Sequence, residues 1–144
     1  MSLDFIFQAC MAFAVAGWIA LAVSPLSRAY CIAFARGVAL VLAIAYLAQF
    51  LTITEPTEGG NFSTLDGIVI LFSKAGNAML GWTHYLAFDL FIGSWEAEDA
   101  PESGVPHWLL VPCLIATLMV GPIGLLAYFI IRTITRRMKA TSAP

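Results

Sequence analysis

Four apolar runs, each near the roughly 20 residues a helix needs to cross a bilayer, leave this chain few ways to fold. They cover residues 3–23, 32–53, 78–95 and 108–131. Of the 144 residues, 60% are hydrophobic and 11% charged, where a soluble domain carries about 45–50% and about 25%. A core built from so short a chain cannot enclose that much apolar surface, so lipid must cover it. The runs predict an all-α integral membrane protein, a single domain over residues 1–144, with a bundle of about four transmembrane helices.

The connections support this division. Met1-Ser-Leu-Asp4 lacks the positive n-region of a secretion signal, so the first run is expected to stay as a membrane helix. Ser24-Pro25 ends it, because proline disfavours a helical residue before it. Thr54-Glu-Pro-Thr-Glu-Gly-Gly-Asn61 reads as a loop. Ser63 or Thr64 can cap the segment that follows, with Asp66 in its first turn. Residues 65–77 are too polar at their end to span alone. They are expected to form an interfacial helix before the third span, with a re-entrant segment as the alternative. The acidic stretch Glu96–Glu102 reads as a solvated loop, and residues 132–144 as a basic tail. Lysine and arginine mark the cytoplasmic side. With four crossings, the tail and Lys74 outweigh Arg28 and Arg36, so both termini are expected in the cytoplasm. Cys10, Cys31 and Cys113 lie in or beside apolar runs without a CxxC pair, and read as small buried hydrophobes.

The third run carries what chemistry the chain offers. His84 and Asp89 stand inside it, and a buried aspartate costs roughly 2.5–3.5 kcal/mol at a helix centre, so it normally marks a site. At about 100° per residue, Trp82, Tyr85 and Asp89 share one stripe, while Asn77, His84, Phe88, Phe91 and Trp95 share another. His84 and Asp89 then look toward different neighbours or opposite flanks of one cavity. Asp89 suits a general acid or base, with Tyr85 one turn away; the plain alternative is pairing with Arg36 or Lys74. His84 is a proton shuttle, an axial ligand or a carbonyl's partner. Tyr46 and Gln49, three residues apart, can point into the bundle, or simply bond between helices. Aromatic walls with few polar points describe a slot for a long apolar ligand. No metal-ligand motif, nucleophile elbow, phosphate loop or nucleic-acid pattern is present, so no metal, cofactor or nucleic-acid partner is expected.

Trp82-Thr-His84-Tyr-Leu86-Ala-Phe-Asp89-Leu90-Phe91 resembles the W-x-H-x-L-x-x-D-L-F signature of small membrane proteins related to the plant neoxanthin-synthesis protein, whose loss causes abscisic acid deficiency. Gly121-Pro122-Ile-Gly124 is similar to that family's turn in its last helix. Pro25, Tyr46, Leu65-Asp-Gly67-Ile68 and Phe72 fit its layout. The resemblance implies about four membrane helices and a role in converting violaxanthin to neoxanthin, a redox-neutral epoxide opening that ends in an allene. It implies Asp89 as proton donor or acceptor, with His84 its helper. A chain that starts at its first span resembles a bacterial-type member of the inner membrane, acting on another carotenoid or isoprenoid.

The expected function is therefore a cofactor-independent carotenoid isomerase or epoxide-rearrangement enzyme. Asp89, His84 and Tyr85 would be catalytic; Trp82, Phe88, Phe91, Trp95, Tyr46 and Asn77 would hold substrate. The alternative is a carotenoid-binding or accessory protein without catalysis. A proton or ion transporter fits less well, since the chain lacks repeated halves. Four short helices offer a thin interior, which a homodimer with a site between protomers would deepen.

Overall fold

A computed structural model describes residues 2–141. Among these the regular structure is entirely helical: α1 (Leu3–Ala22), a 3-10 turn (Ser24–Leu26), α2 (Arg28–Thr52), α3 (Leu65–Phe72), α4 (Ala75–Ser103), α5 (His107–Val120) and α6 (Pro122–Thr141). Helices α1 and α2 are long and apolar enough to cross a membrane. Local chemistry sets their limits. The Ser2 hydroxyl accepts from Phe5 N–H and caps α1, and Ser24-Pro25 tightens the turn that follows it. Thr64 caps α3 by accepting from Gly67 N–H, with Asp66 in the first turn.

Helix α4 is the axis of the molecule. Its 29 residues span about 44 Å at ~1.5 Å each, and α1, α2, α5 and α6 all pack on it. It also absorbs the acidic stretch expected to be a solvated loop. Glu96 to Ser103 are its last turns, and Gly104 ends it in the left-handed conformation at φ 74°. Pro101 is tolerated because its missing N–H would have bonded the Ala97 carbonyl, and the Arg28 guanidinium donates to that oxygen instead at 3.3 Å. Composition pointed to a loop; the packing of Ala97 and Ala100 in the core holds a helix.

The run expected as one crossing over 108–131 is two helices. Helix α5 has 14 residues, about 21 Å, too short for a core roughly 30 Å thick. Gly121, at φ 36°, turns the chain, and Pro122 opens α6. Proline suits a first helical position because that N–H has no intrahelical partner. At Gly124 a Cβ would lie 2.0 Å from the Thr117 nitrogen, so only glycine lets the two helices close. The pair forms a hairpin. His107 Nε2 donates to the Ala22 carbonyl at 2.8 Å beside the end of α1. The tip reaches Tyr85 and Asp89, halfway along α4, and α6 returns beside Asp99 and Ser103.

This hairpin changes the expected topology. The start of α1 lies against the start of α4, where Leu3, Asp4 and Phe7 meet Ala75 and Met79. The end of α6 lies with the end of α4, so the start of α1 and the end of α6 sit at opposite ends of the described molecule and not on one side. The basic tail is the last turns of α6 as far as Thr141, and its remaining residues lie outside the described ones. The 65–77 segment is the short α3 followed by a break before α4.

Candidate functional site

Along the seam between α2 and α4 lie two apolar cavities of about 400 Å³ each. Ala39, Leu40 and Ala43 of α2 face Ala87, Phe88 and Phe91 of α4 in the first, which Arg36 closes at its outer end. Small residues on α2 leave room, and Phe88 and Phe91 are exposed and supply the wall. The second lies between Tyr46 and Phe50 on one side and Leu80, Gly81 and His84 on the other, and reaches Glu55 beneath α3. Between them the His84 ring stacks on Phe88 at 4.5 Å, with Tyr46 at 5.9 Å. From Arg36 to Phe50 this seam is about 21 Å long. One ionisable side chain, His84, stands at its waist.

The seam gathers His84, Phe88, Phe91, Tyr46 and Asn77 from the expected set. Asn77 lines its end, but its amide is engaged: the side chain donates to the Glu55 and Leu71 carbonyls and to the Thr57 hydroxyl, and accepts from Glu55 N–H. It pins the 53–64 loop over the mouth of α4. Gln49, on the same face of α2 as Tyr46, joins α2 to α4 by accepting from the Thr83 hydroxyl at 3.0 Å.

Asp89, Tyr85, Trp82 and Trp95 lie elsewhere. Trp82 packs against Phe7 and Tyr85, its indole N–H on Met11 sulfur. Trp95 packs against Tyr128 and Phe129 of α6. The Asp89 carboxylate sits at the hairpin tip, 3.1 Å from where a Gly121 Cβ would be, and its Oδ2 is buried without a hydrogen-bond partner among the described residues. The start of α6 points there, and a helix N-terminus favours negative charge. Tyr85 donates to the Leu118 carbonyl at 2.6 Å, one of the oxygens left without an intrahelical partner in the last turn of α5. His84 and Asp89 thus face different neighbours, as their angular separation predicts. Asp89 does not pair with Arg36, whose guanidinium forms a two-pronged bond to Glu98 and a third to Ser94.

Beyond the apolar run 78–95, α4 carries a polar cluster. Asp99 accepts from Arg132 Nε and Nη2 at 2.6 and 2.7 Å, from the Tyr128 hydroxyl at 2.7 Å and from Ser103, with Arg136 at 3.5 Å. The Arg132 guanidinium holds the Asp99 carboxyl well below the usual carboxylate range. Glu96 is fully buried and accepts from the Thr117 hydroxyl at 3.0 Å. Neither carboxylate was singled out from the sequence, since both sit in a stretch whose composition reads as solvated. The usable signal was the seven-residue step from Asp89 to Glu96, which keeps both on one face of a helix. Among the described residues no group of three or more His, Cys, Asp or Glu could hold a metal ion.

The family model described as ABA DEFICIENT 4-like matches residues 5–128. The chain belongs to the ABA DEFICIENT 4-like family. No curated protein and no solved structure matches it. The match takes in the whole α2–α4 seam and the hairpin as far as Tyr128. Within this ABA DEFICIENT 4-like protein the signature residues divide by face: His84 and Phe91 toward the seam, Trp82 and Asp89 away from it.

Proposed function

We propose that this ABA DEFICIENT 4-like protein is an integral membrane protein that holds a carotenoid, or a related long isoprenoid, along the α2–α4 seam. It isomerises or rearranges that ligand by proton transfer. The observation that carries the proposal is the pair of apolar cavities on one α2–α4 seam, with the His84 imidazole stacked on Phe88 between them. Rod-like apolar ligands fit elongated aromatic-walled slots with few polar points. A protonated His84 gives its proton to a polyene carbon or an epoxide oxygen. The resulting cation is delocalised, and bond rotation or rearrangement follows. Loss of a ligand proton back to the imidazole restores His84, with no net oxidation. Asp89 and Tyr85, on the other face of α4, support the hairpin tip and act on the reaction only through α4. The second reading, binding without chemistry, draws on the same cavities.

The test is pigment analysis of membranes containing all-trans carotenoid, with wild type, His84→Gln and Ala43→Trp. Bound pigment and new isomers with wild type, bound but unaltered pigment with His84→Gln, and neither with the seam-filling Ala43→Trp are the expected results. Unaltered pigment with wild type favours the binding reading. Full retention by Ala43→Trp removes the seam from the site.

We also infer that the end of the molecule bearing Ser103 and Thr141 faces the cytoplasm. Of the seven lysines and arginines, Arg28, Arg36, Arg132, Arg136, Arg137 and Lys139 lie toward that end, and Lys74 alone at the other. The positive-inside bias then supports a start of α1 on the far side.

A further inference from the structure

Glu96 is a carboxyl that nothing above uses. It has 0% exposure and lies between α4 and the hairpin. Thr117, equally buried, donates to Oε1 at 3.0 Å, while Oε2 has no hydrogen-bond partner among the described residues. An unpaired buried charge costs several kcal/mol, far more than a neutral carboxyl in the same place. A cation could offset that, but those at this end are engaged. Arg132 and Arg136 are held by Asp99 and Ser103, Arg36 by Glu98 and Ser94, and Arg28 by the Ala97 carbonyl.

The other titratable groups that bear on Glu96 are Asp89 on α4, Cys113 on α5 and Tyr128 on α6, with Asp99 three residues along α4. None of them brings a positive charge. Asp89 and Asp99 lie along the same helix, and like charges oppose ionisation. Tyr128 is fully buried and donates its hydroxyl to Asp99 at 2.7 Å. Asp99 in turn lies 3.5 Å from Arg136, which is exposed.

We propose that Glu96 is a proton-binding site: it carries a neutral carboxyl beneath the hairpin near neutral pH, and exchanges its proton with water. In each exchange the proton that leaves Glu96 Oε2 goes to water, and water returns another to the same oxygen. The site stands on burial and hydrogen bonding, and does not depend on the ligand proposed for the seam.

Infrared spectroscopy of the purified full chain tests it without any assay of activity. At neutral pH the wild type is expected to show a protonated-carboxyl C=O band that Glu96→Gln abolishes. Thr117→Val keeps the shape of the side chain and removes the one donor, so it is expected to move that band to higher frequency, and this settles the assignment should Glu96→Gln not fold. On transfer to D2O the wild-type band is expected to shift to lower frequency. The absence of a band sensitive to Glu96→Gln or Thr117→Val overturns the site. A band that does not move in D2O overturns the exchange.

Discussion

At the scale of residues, Asp99 fastens α6 to α4, and its charge makes the joint depend on pH. Its carboxyl is depressed in the folded state by Arg132. Its contribution is therefore complete above the ordinary aspartate value of about 3.9 and fades as the pH falls through and below that value. The difference in thermal midpoint between wild type and Asp99→Asn in detergent is expected to hold from pH 7 to 5 and to shrink below pH 4. Asp99→Asn is expected to lose about 2–3 kcal/mol at neutral pH, since it strands a partly buried arginine, and to lack this part of the acid response. Tyr85 has a neutral counterpart of that role. Tyr85→Phe leaves the Leu118 carbonyl unpaired, at a cost of about 1–3 kcal/mol, measurable as faster amide exchange at the hairpin tip. The sequence made the divergence of His84 and Asp89 legible, because it follows from helical geometry alone. Glu96 and Asp99 were hidden: their neighbours Glu98, Pro101 and Glu102 are exposed, and composition averages over faces that the fold separates.

At the scale of elements, the hairpin depends on two glycines that tolerate little. A Cβ at Gly124 would meet the backbone nitrogen of Thr117, which cannot swing aside as a side chain can. Gly124→Ala is expected to cost at least about 2 kcal/mol and to splay α5 from α6, whereas Gly37→Ala, with open space around it, is expected to be neutral or slightly stabilising. Midpoints of thermal unfolding for the two variants check the contrast. The first two apolar runs could be read as helices because length, hydropathy and a proline boundary agree. The fourth could not be read correctly from its length. A proline inside a membrane run signals either a kink or a reversal, and the choice rests on how closely Gly124 lets the two halves approach, a contact the sequence does not display.

At the scale of the whole molecule, the reversal in the hairpin sets the first and last described residues at opposite ends and collects nearly all cationic side chains at one of them. In a cysteine-free background, a membrane-impermeant thiol reagent is expected to label Glu58→Cys on intact cells and Arg137→Cys only after permeabilisation; the reverse pattern would invert the molecule. The hairpin tip stops beside Asp89, roughly midway along α4. Five helices, α1, α2, α4, α5 and α6, therefore share the half that contains Ser103, while three long helices, α1, α2 and α4, with the short α3, make up the other. The cross-section tapers. A tapered body takes more area from one leaflet than from the other, so the bilayer around it is driven to bend or to recruit lipids of unequal headgroup size. Reconstitution into small and large vesicles would then give different yields for the same protein and lipid.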